Sequence, residues 1–230
     1  MTAGFRYERK FLPSDLDLAR ALAVVHRHPS LFREVYPPRL VNNIYLDSPR
    51  LDNYHDHVNG TANRSKTRVR WYGHPRSLIE NPALEQKIKR GTVSRKETHP
   101  LPSLRLEGET ARSRLDETFR IASLPELLRS RLQHLQPSLF NCYRRHYFLS
   151  QDRRFRLTVD SDLRFEGIDG NTNVTGASAS TALHPSGFVI IELKYSAENA
   201  GLADAVTNAL PFRVTRCSKY ILGIQCAVPA

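Results

Sequence analysis

Five segments of the sequence carry charged or polar side chains at every second position, with apolar or aromatic residues between most of them. These segments are Arg6-x-Glu8-x-Lys10, Lys66-x-Arg68-x-Arg70, Glu85-x-Lys87-x-Lys89, Arg156-x-Thr158-x-Asp160 and Glu192-x-Lys194. Successive residues of a β-strand point to opposite faces, so each segment predicts a strand with one charged face and one apolar face.

The segment around Arg68 suggests what such faces could bind. Lys66, Arg68 and Arg70 would share one face without a carboxylate among them, although like charges placed side by side repel. The arrangement makes sense if the face contacts a multivalent anion, because Arg binds phosphate oxygens in pairs and Lys adds a compact positive charge. The solvated outer face of a sandwich stays open as the alternative.

Three carboxylates, those of Glu8, Glu85 and Glu192, interrupt the basic pattern. They would be poorly placed if the only task were to bind an anion. They could hold Mg²⁺ or Mn²⁺, hard cations that prefer oxygen ligands and bridge phosphates. A salt bridge to a neighbouring lysine is the other interpretation for each of them.

The overall charge agrees with an anionic partner. The chain has 34 Lys and Arg against 23 Asp and Glu in 230 residues, a net charge of +11. This favours nucleic acid, an anionic membrane surface or polyphosphate. No G-x-x-x-x-G-K-[ST] loop, GxGxxG turn or GxSxG elbow is present, which argues against the corresponding nucleotide-binding and hydrolase classes.

The remaining bulk features predict a cytoplasmic protein. The three cysteines are odd in number and lack metal-site spacing, which indicates reduced thiols. No apolar run is long enough for a transmembrane segment of its own, and the first residues lack a signal-peptide core.

The elements that must position the charged residues are mostly strands. We predict helices after a Ser14 N-cap, over 114–135 with a break at Pro125, and over 199–209; the predicted strands cover 4–12, 40–47, 66–72, 83–90, 92–98, 140–149, 154–165 and 187–195. There is no βαβ alternation. The pattern therefore predicts an α+β, mainly antiparallel protein with a single domain over residues 1–230.

These residues also carry a family resemblance. Arg6-Tyr7-Glu8-Arg9-Lys10 resembles the ExExK opening of the CYTH-like triphosphate tunnel metalloenzyme superfamily, with Arg6 in place of the first Glu. The rest resembles the VTC (vacuolar transporter chaperone) polyphosphate polymerase domain, in order along nearly the whole chain. The matching pieces are Asn43–Asp47 with Tyr54, Arg68–Gly73, Leu84–Lys87, Val93–Lys96, Tyr143–Arg145, Arg156–Asp160, Ile191–Tyr195 and Ser218–Tyr220.

The resemblance implies a closed triphosphate tunnel β-barrel with helices packed outside, and roles for named residues. It implies that phosphates are contacted by Lys10, Arg68, Arg70, Lys87, Lys96, Arg145 and Lys219, and that Glu192 holds Mn²⁺ or Mg²⁺. The other charged positions of the strand pattern are assigned as further substrate-binding residues, with Glu8 as a second metal ligand; they are Lys66, Lys89, Arg156 and Lys194.

The implied activity is a phosphotransferase, a polyphosphate polymerase that moves the γ-phosphoryl group of ATP onto a growing inorganic polyphosphate chain. Its partners would be ATP and polyphosphate, and a membrane protein could receive the product. A CYTH-like triphosphatase and a non-catalytic polyphosphate-binding module stay open. Nucleic acid, with Trp71, Tyr72 and Tyr143 as stacking surfaces, is the least favoured partner, because acids are mixed with the bases along the strands.

Overall fold

The computed structural model describes residues 6–14, 16–75, 78–91, 93–106, 110–168, 182–183 and 188–227. The strands are β1 Arg6–Phe11, β2 Arg33–Asp47, β3 Asn63–Tyr72, β4 Ala83–Arg90, β5 Val93–Pro100, β6 Gln136–Leu149, β7 Phe155–Gly167, β8 Ala182–Leu183 and β9 Ile190–Ser196. The helices are α1 Leu18–His26, α2 Asp52–Val58, α3 Ala111–Ile121, α4 Glu126–Leu132, α5 Ala200–Asn208 and α6 Lys219–Ala227. A 3-10 turn over Ala197–Asn199 precedes α5.

The strands form one sheet in the order β1-β9-β7-β6-β2-β3-β4-β5, and β8 pairs with β7. The registered pairs of β1, β3, β4, β5 and β9 with their neighbours are antiparallel, as predicted. Within the described residues the pairing ends at β1 and β5, so the prediction of a closed barrel is wrong. The last described part of the chain forms helix α6.

Contacts divide the chain into two compact units. Unit 1 contains the described residues within 1–39, 143–163 and 183–217, and unit 2 contains those within 40–142, 164–182 and 218–230. The long strands β2, β6 and β7 contribute residues to both units. The prediction of a single domain over 1–230 stays a prediction.

Unit 1 has its own hydrophobic core, formed where the apolar faces of β1, β7 and β9 meet α1 and α5. Phe11, Leu157, Ile191 and Val25 are among its fully buried members. Helix α1 begins after Asp17, whose side chain accepts a hydrogen bond from the Arg20 amide at 2.7 Å. The prediction of Ser14 as its N-cap is therefore wrong, because Asp17 supplies the oxygen that the free amides require.

Unit 2 buries the apolar faces of β3, β4 and β6 together with α3 and α4. Its core includes Trp71, Leu84 and Phe140, and the predicted break at Pro125 separates α3 from α4. The β4–β5 hairpin turns through Gly91, whose φ of +58° is a left-handed conformation that favours glycine.

Two stretches of the chain differ from the sequence prediction. Strand β2 begins at Arg33 rather than at 40, and it passes through Pro37 and Pro38. Its registered pairs with β3 start at Val41, so these prolines lie where no β3 partner is registered. Helix α2, which contains His55 and His57, lies where no helix was predicted.

Candidate functional site

The charged faces of β3 and β4 come together in unit 2 through the register of their pairing. Lys66 is opposite Lys87, Arg68 is opposite Glu85, and Lys87 is in turn opposite Lys96 of β5. Thr67, Val69 and Trp71 point to the other face and are buried. The alternating pattern therefore places Lys66, Arg68 and Arg70 on one face, as predicted.

Glu85 lies at the centre of this group, with a side chain that is 9% exposed. Its Oε2 accepts hydrogen bonds from Arg68 Nε at 2.9 Å and Nη2 at 2.6 Å, and lies 3.6 Å from Arg70 Nη1. Its Oε1 accepts from Lys96 Nζ at 2.5 Å. Burial alone would raise the pKa of Glu85, but the charges of Arg68, Arg70 and Lys96 lower it to about 2. These ion pairs match the salt-bridge interpretation of this carboxylate.

Lys96 shows the same balance from the side of the cation. Burial lowers the pKa of its ammonium, the Glu85 carboxylate opposes that effect, and the positive charges of Arg68 and Arg70 add to it, so the net direction is downward. Three positive charges around one negative charge leave the group cationic.

The two arginines are also held by neutral polar side chains of β2 and β6. Arg68 Nη1 donates to the Tyr45 hydroxyl at 3.2 Å. Arg70 Nε donates to Asn43 Oδ1 at 3.0 Å, and Asn43 Nδ2 donates in turn to Asn141 Oδ1 at 2.8 Å. Asn43 and Asn141 are fully buried, so the guanidinium of Arg70 is fixed from within the sheet.

One contact joins this group to the residue that precedes helix α6. Lys219, a predicted site residue, is the first residue of the helix and is buried. The preceding residue, Ser218, accepts a hydrogen bond from Lys66 Nζ at 2.9 Å. Lys87 is exposed and Lys89 is half-buried on β4. We call Lys66, Arg68, Arg70, Glu85, Lys96 and Lys219 the strand-face cluster of unit 2.

A second set of predicted residues meets in unit 1, on β1, β9, β7 and β6. The register places Lys10 opposite Glu192 and Glu8 opposite Lys194. The Glu192 carboxylate is 3.3 Å from Lys10 Nζ, 3.1 Å from Lys194 Nζ and 3.4 Å from Arg145 Nη2.

Lys10 contacts both predicted metal ligands. Its Nζ lies 3.1 Å from Glu8 Oε1 as well as 3.3 Å from Glu192 Oε1, and it donates to the Cys217 carbonyl at 3.0 Å. Burial lowers the pKa of the Lys10 ammonium, but the charges of Glu192 and Glu8 outweigh this effect and raise the pKa above its ordinary range. Lys10 is therefore a fixed positive charge in unit 1.

Arg145 forms a buried ion pair. Its Nε and Nη2 donate to the two carboxylate oxygens of Asp160 at 2.6 and 2.7 Å. Burial lowers its pKa, but Asp160 and the other anionic neighbours raise it well above the ordinary value. Its neighbour Arg144 is half-exposed, 3.5 Å from Asp162. Arg156 is exposed on β7, opposite Lys194.

The carboxylates of unit 1 suit a hard metal by donor type. Glu8 and Glu192 offer oxygen ligands, and Mg²⁺ is commonly held by one or two carboxylates together with substrate phosphates. In the described ranges no group of three or more His, Cys, Asp or Glu side chains could enclose a metal alone. Glu8 and Glu192 could therefore supply two ligands at most, and a metal at this place stays a prediction.

Several residues of these clusters were not among the predicted site residues. They are Asn43, Tyr45, Asp47, Asn141, Asp160, Ser218 and Tyr220. Most stand in the pieces of sequence that carry the family resemblance. Of them only Asp160 belonged to the alternating pattern of charged and polar residues, and the others are neutral or lone acidic side chains outside that pattern. Their roles depend on contacts between strands that are distant in sequence.

No disulfide joins Cys142, Cys217 or Cys226. Across the part of the chain that the structure describes, no helix combines the length and the apolar character needed to span a bilayer.

Comparisons with known proteins give a family and a fold. The family model of the VTC domain matches residues 5–228. A protein named "putative adenylate cyclase" from Vibrio parahaemolyticus has a similar structure, with a TM-score of 0.51 and 14% identity over 95% of this chain and 98% of that one. The PH1819 protein from Pyrococcus horikoshii is also similar, with a TM-score of 0.54 and 13% identity over 96% and 99% of the two chains. No curated protein matches. At these identities the two structures establish a shared fold.

Proposed function

Since this chain belongs to the VTC domain family, we propose that it is a polyphosphate polymerase. It would transfer the γ-phosphoryl group of ATP onto the end of an inorganic polyphosphate chain and release ADP. The reaction joins a terminal phosphate oxygen of the chain to the γ-phosphorus and breaks the bond between that phosphorus and the β–γ bridging oxygen. We place the protein in the cytoplasm, where ATP is available, and a membrane protein could receive the product.

The observation that carries the proposal is the strand-face cluster of unit 2. Arg68, Arg70 and Lys96 surround the single carboxylate of Glu85, so their excess positive charge calls for an anion. Arg68 and Arg70 are already oriented, by Tyr45 and Asn43, before any ligand binds. Such preorganised donors suit phosphoryl transfer, which depends on positioning and charge neutralisation more than on covalent chemistry.

Arginine and lysine side chains would bind the phosphates in different ways, because their charged groups differ in shape. The planar guanidinium groups of Arg68 and Arg70 can bind two phosphate oxygens each. The ammonium groups of Lys66, Lys96 and Lys219, and that of Lys87 outside the cluster on β4, would each neutralise a single oxygen. The acceptor is a terminal phosphate that is already anionic, so no strong general base is required. In unit 1, the further residues that we propose to contact phosphate are Lys10, Lys194, Arg145 and Arg156. In unit 2, Lys89 is a further proposed phosphate contact.

Glu192 and Glu8 would hold Mn²⁺ or Mg²⁺. A metal bound there would polarise phosphoryl oxygens as a Lewis acid and help to align the phosphates. Lys10 touches both carboxylates, so it would keep them close together and limit their repulsion before the metal arrives.

The test is incubation of the purified protein with ATP, Mn²⁺ or Mg²⁺ and a short polyphosphate primer, with analysis of chain length and ADP. Arg68→Ala and Lys219→Ala should sharply reduce turnover. Arg20→Ala is a control, because the Arg20 side chain is 74% exposed on α1. Long polyphosphate with stoichiometric ADP is the expected result.

Other products would identify the alternatives. Release of orthophosphate without chain growth would indicate a triphosphatase. Tight binding of triphosphate without either product would indicate a polyphosphate-binding module. Unchanged turnover in both Arg68→Ala and Lys219→Ala would refute the assigned roles.

A further inference from the structure

A buried carboxylate of unit 2 is not used by the proposed mechanism. Asp47, the last residue of β2, has no exposed surface. It accepts hydrogen bonds from the Ser48 amide at 2.7 Å, the Asn53 amide at 2.9 Å, the Asn53 side chain at 2.8 Å and the Tyr54 amide at 3.0 Å. It therefore supplies the first turn of α2 with the cap that the helix's own N-cap residue, Leu51, lacks.

Asp47 also accepts a hydrogen bond from the hydroxyl of Tyr220, which is buried in the first turn of α6. Burial and the negative charge of Asp47 raise the pKa of Tyr220, so its hydroxyl keeps its proton and stays a donor. A charged acceptor makes this a strong hydrogen bond, and it ties the start of α6 to the end of β2.

The Tyr220 ring continues the chain of contacts towards the phosphate-binding arginine. It stacks on the ring of Tyr45, with centroids 4.9 Å apart and an interplanar angle of 29°. The Tyr45 hydroxyl accepts from Arg68 Nη1 at 3.2 Å, and the guanidinium carbon of Arg68 is 5.8 Å from the centre of the Tyr45 ring. The hydroxyl of Tyr220 thus contacts Asp47, and its ring contacts Tyr45, which orients Arg68.

The same tyrosine fixes the two residues that precede it. Lys219 is buried next to it, and Ser218 accepts the hydrogen bond from Lys66 Nζ. A movement of Tyr220 would therefore displace Lys219 and Ser218 directly, and Arg68 through Tyr45.

We propose that Asp47, Tyr220 and Tyr45 are positioning residues, which set Arg68 of β3 and Lys219 of α6 at the spacing required by one polyphosphate ligand. The proposal rests on the proposed function and adds specificity to it. A linear triphosphate presents its charges at fixed intervals, so a rigid spacing between two cations favours triphosphate over a single phosphate.

The test measures binding of inorganic tripolyphosphate and of orthophosphate by calorimetry, without any turnover. Tyr220→Phe keeps the ring stack and removes the hydroxyl. We expect it to weaken tripolyphosphate binding by about tenfold, which is the lower end of the loss seen when an outer hydrogen-bond partner of a metal ligand is removed. Orthophosphate binding should change much less. Thr118→Val is the matched control, because the buried Thr118 hydroxyl donates to the Arg114 carbonyl within α3 of the same unit.

A double-variant cycle separates positioning from general stability. The double variant Asp47→Asn with Tyr220→Phe should weaken tripolyphosphate binding no more than the more damaging of the two single changes. The reason is that each single change already breaks the hydrogen bond between Asp47 and Tyr220. In the polymerase assay, Tyr220→Phe should raise KM for the primer more than it lowers kcat. The melting temperatures of Tyr220→Phe and Thr118→Val should also be compared. A loss of tripolyphosphate binding in Tyr220→Phe at a similar melting temperature is not due to lower stability.

The outcomes distinguish this inference from the proposed function. If Tyr220→Phe binds tripolyphosphate as the unaltered protein does while Arg68→Ala does not, the positioning role is refuted and the proposed function stands. If Arg68→Ala also binds normally, the proposed function fails. An equal loss for tripolyphosphate and orthophosphate would refute the spacing argument.

Discussion

Replacing Glu85 by Gln would remove the charge that three cations share while keeping the size and shape of the side chain. In the folded protein the pKa of Glu85 falls from an ordinary value of 4.5 to about 2. A tenfold change in proton affinity corresponds to about 1.4 kcal/mol, so the ionised form of Glu85 contributes up to about 3 kcal/mol to the free energy of unfolding. We expect Glu85→Gln to lose most of that contribution at neutral pH.

The sign of the pH dependence follows from the depressed pKa. Because the pKa of Glu85 is lower in the folded protein, the unfolded chain takes up the proton first as the pH falls. The contribution of Glu85 is fully present above about pH 4.5 and is lost progressively as the pH falls towards about 2. The difference in stability between the unaltered protein and Glu85→Gln should therefore narrow over this interval.

Urea unfolding followed by tryptophan fluorescence is a direct assay. Trp71 is the single tryptophan of the sequence, and it is buried on β3 next to Arg70. Glu97→Gln is a matched control, because Glu97 is on the neighbouring strand β5 but its side chain is 25% exposed. Glu97→Gln should lower the free energy of unfolding by less than about 1 kcal/mol, because an ion pair in contact with solvent usually contributes no more than that to stability.

A ligand supplies the second half of the same test. Tripolyphosphate brings negative charge to Arg68, Arg70 and Lys96, so it can replace the charge that Glu85→Gln removes. We expect it to raise the melting temperature of Glu85→Gln more than that of the unaltered protein. A loss that stays constant with pH, or a smaller ligand-induced rise in the variant, would refute the view that Glu85 neutralises this cluster.

Three further expectations concern other parts of the molecule. Gly223→Ala should destabilise the protein by about 1–3 kcal/mol in urea unfolding, because the added methyl group would clash with Leu139 and lie 2.6 Å from Phe165, both fully buried; wild-type stability would contradict the packing of α6 on β6 and β7. Arg145→Ala should lower the free energy of unfolding by about 3–5 kcal/mol, because it leaves Asp160 buried without its partner. The double variant Arg145→Ala with Asp160→Ala should recover part of that loss, whereas Arg144→Ala should change stability little. A double variant no more stable than Arg145→Ala would refute this. Glu192→Gln should raise the Mn²⁺ concentration needed for half-maximal turnover more than Glu198→Gln, a change at an exposed position; equal requirements would refute the metal-binding assignment.

Much of the fold could be predicted from the sequence, because strand periodicity is a local property. The alternation around Arg68 and around Glu192 predicted β3 and β9, and the breaks at Gly91 and Pro125 fall where the structure turns. The start of α1 was wrong because Ser14 and Asp17 are both good capping residues, and only the packing of the helix chooses between them. The closed barrel was wrong because the pairing of strand edges is a long-range property, which the alternation within single strands does not show.

The candidate site could be predicted in its charges but not in its connections. The sequence pattern assigned Glu8, Glu85 and Glu192 the same two alternatives. In the structure all three carboxylates contact cations, because Glu85 faces two arginines and a lysine in unit 2, Glu192 faces two lysines and an arginine in unit 1, and Glu8 contacts Lys10. The metal-binding alternative for Glu8 and Glu192 stays a prediction. Asp47 and Tyr220 are 173 residues apart, so no spacing within the sequence could have indicated their contact.

The internal carboxylates also limit which anions these clusters could bind. A basic face with no acid would hold any small anion, but here Glu85 already occupies the positions on Arg68 and Lys96 that such an anion would take. A monovalent ion offers no more charge than the carboxylate it must displace, and it lacks the advantage of being attached to the chain. A ligand gains only if it adds charge beyond that of the carboxylate and reaches several cations at once. Polyphosphate meets both conditions, so the acids scattered through the basic strands favour a multivalent phosphate ligand rather than arguing against one.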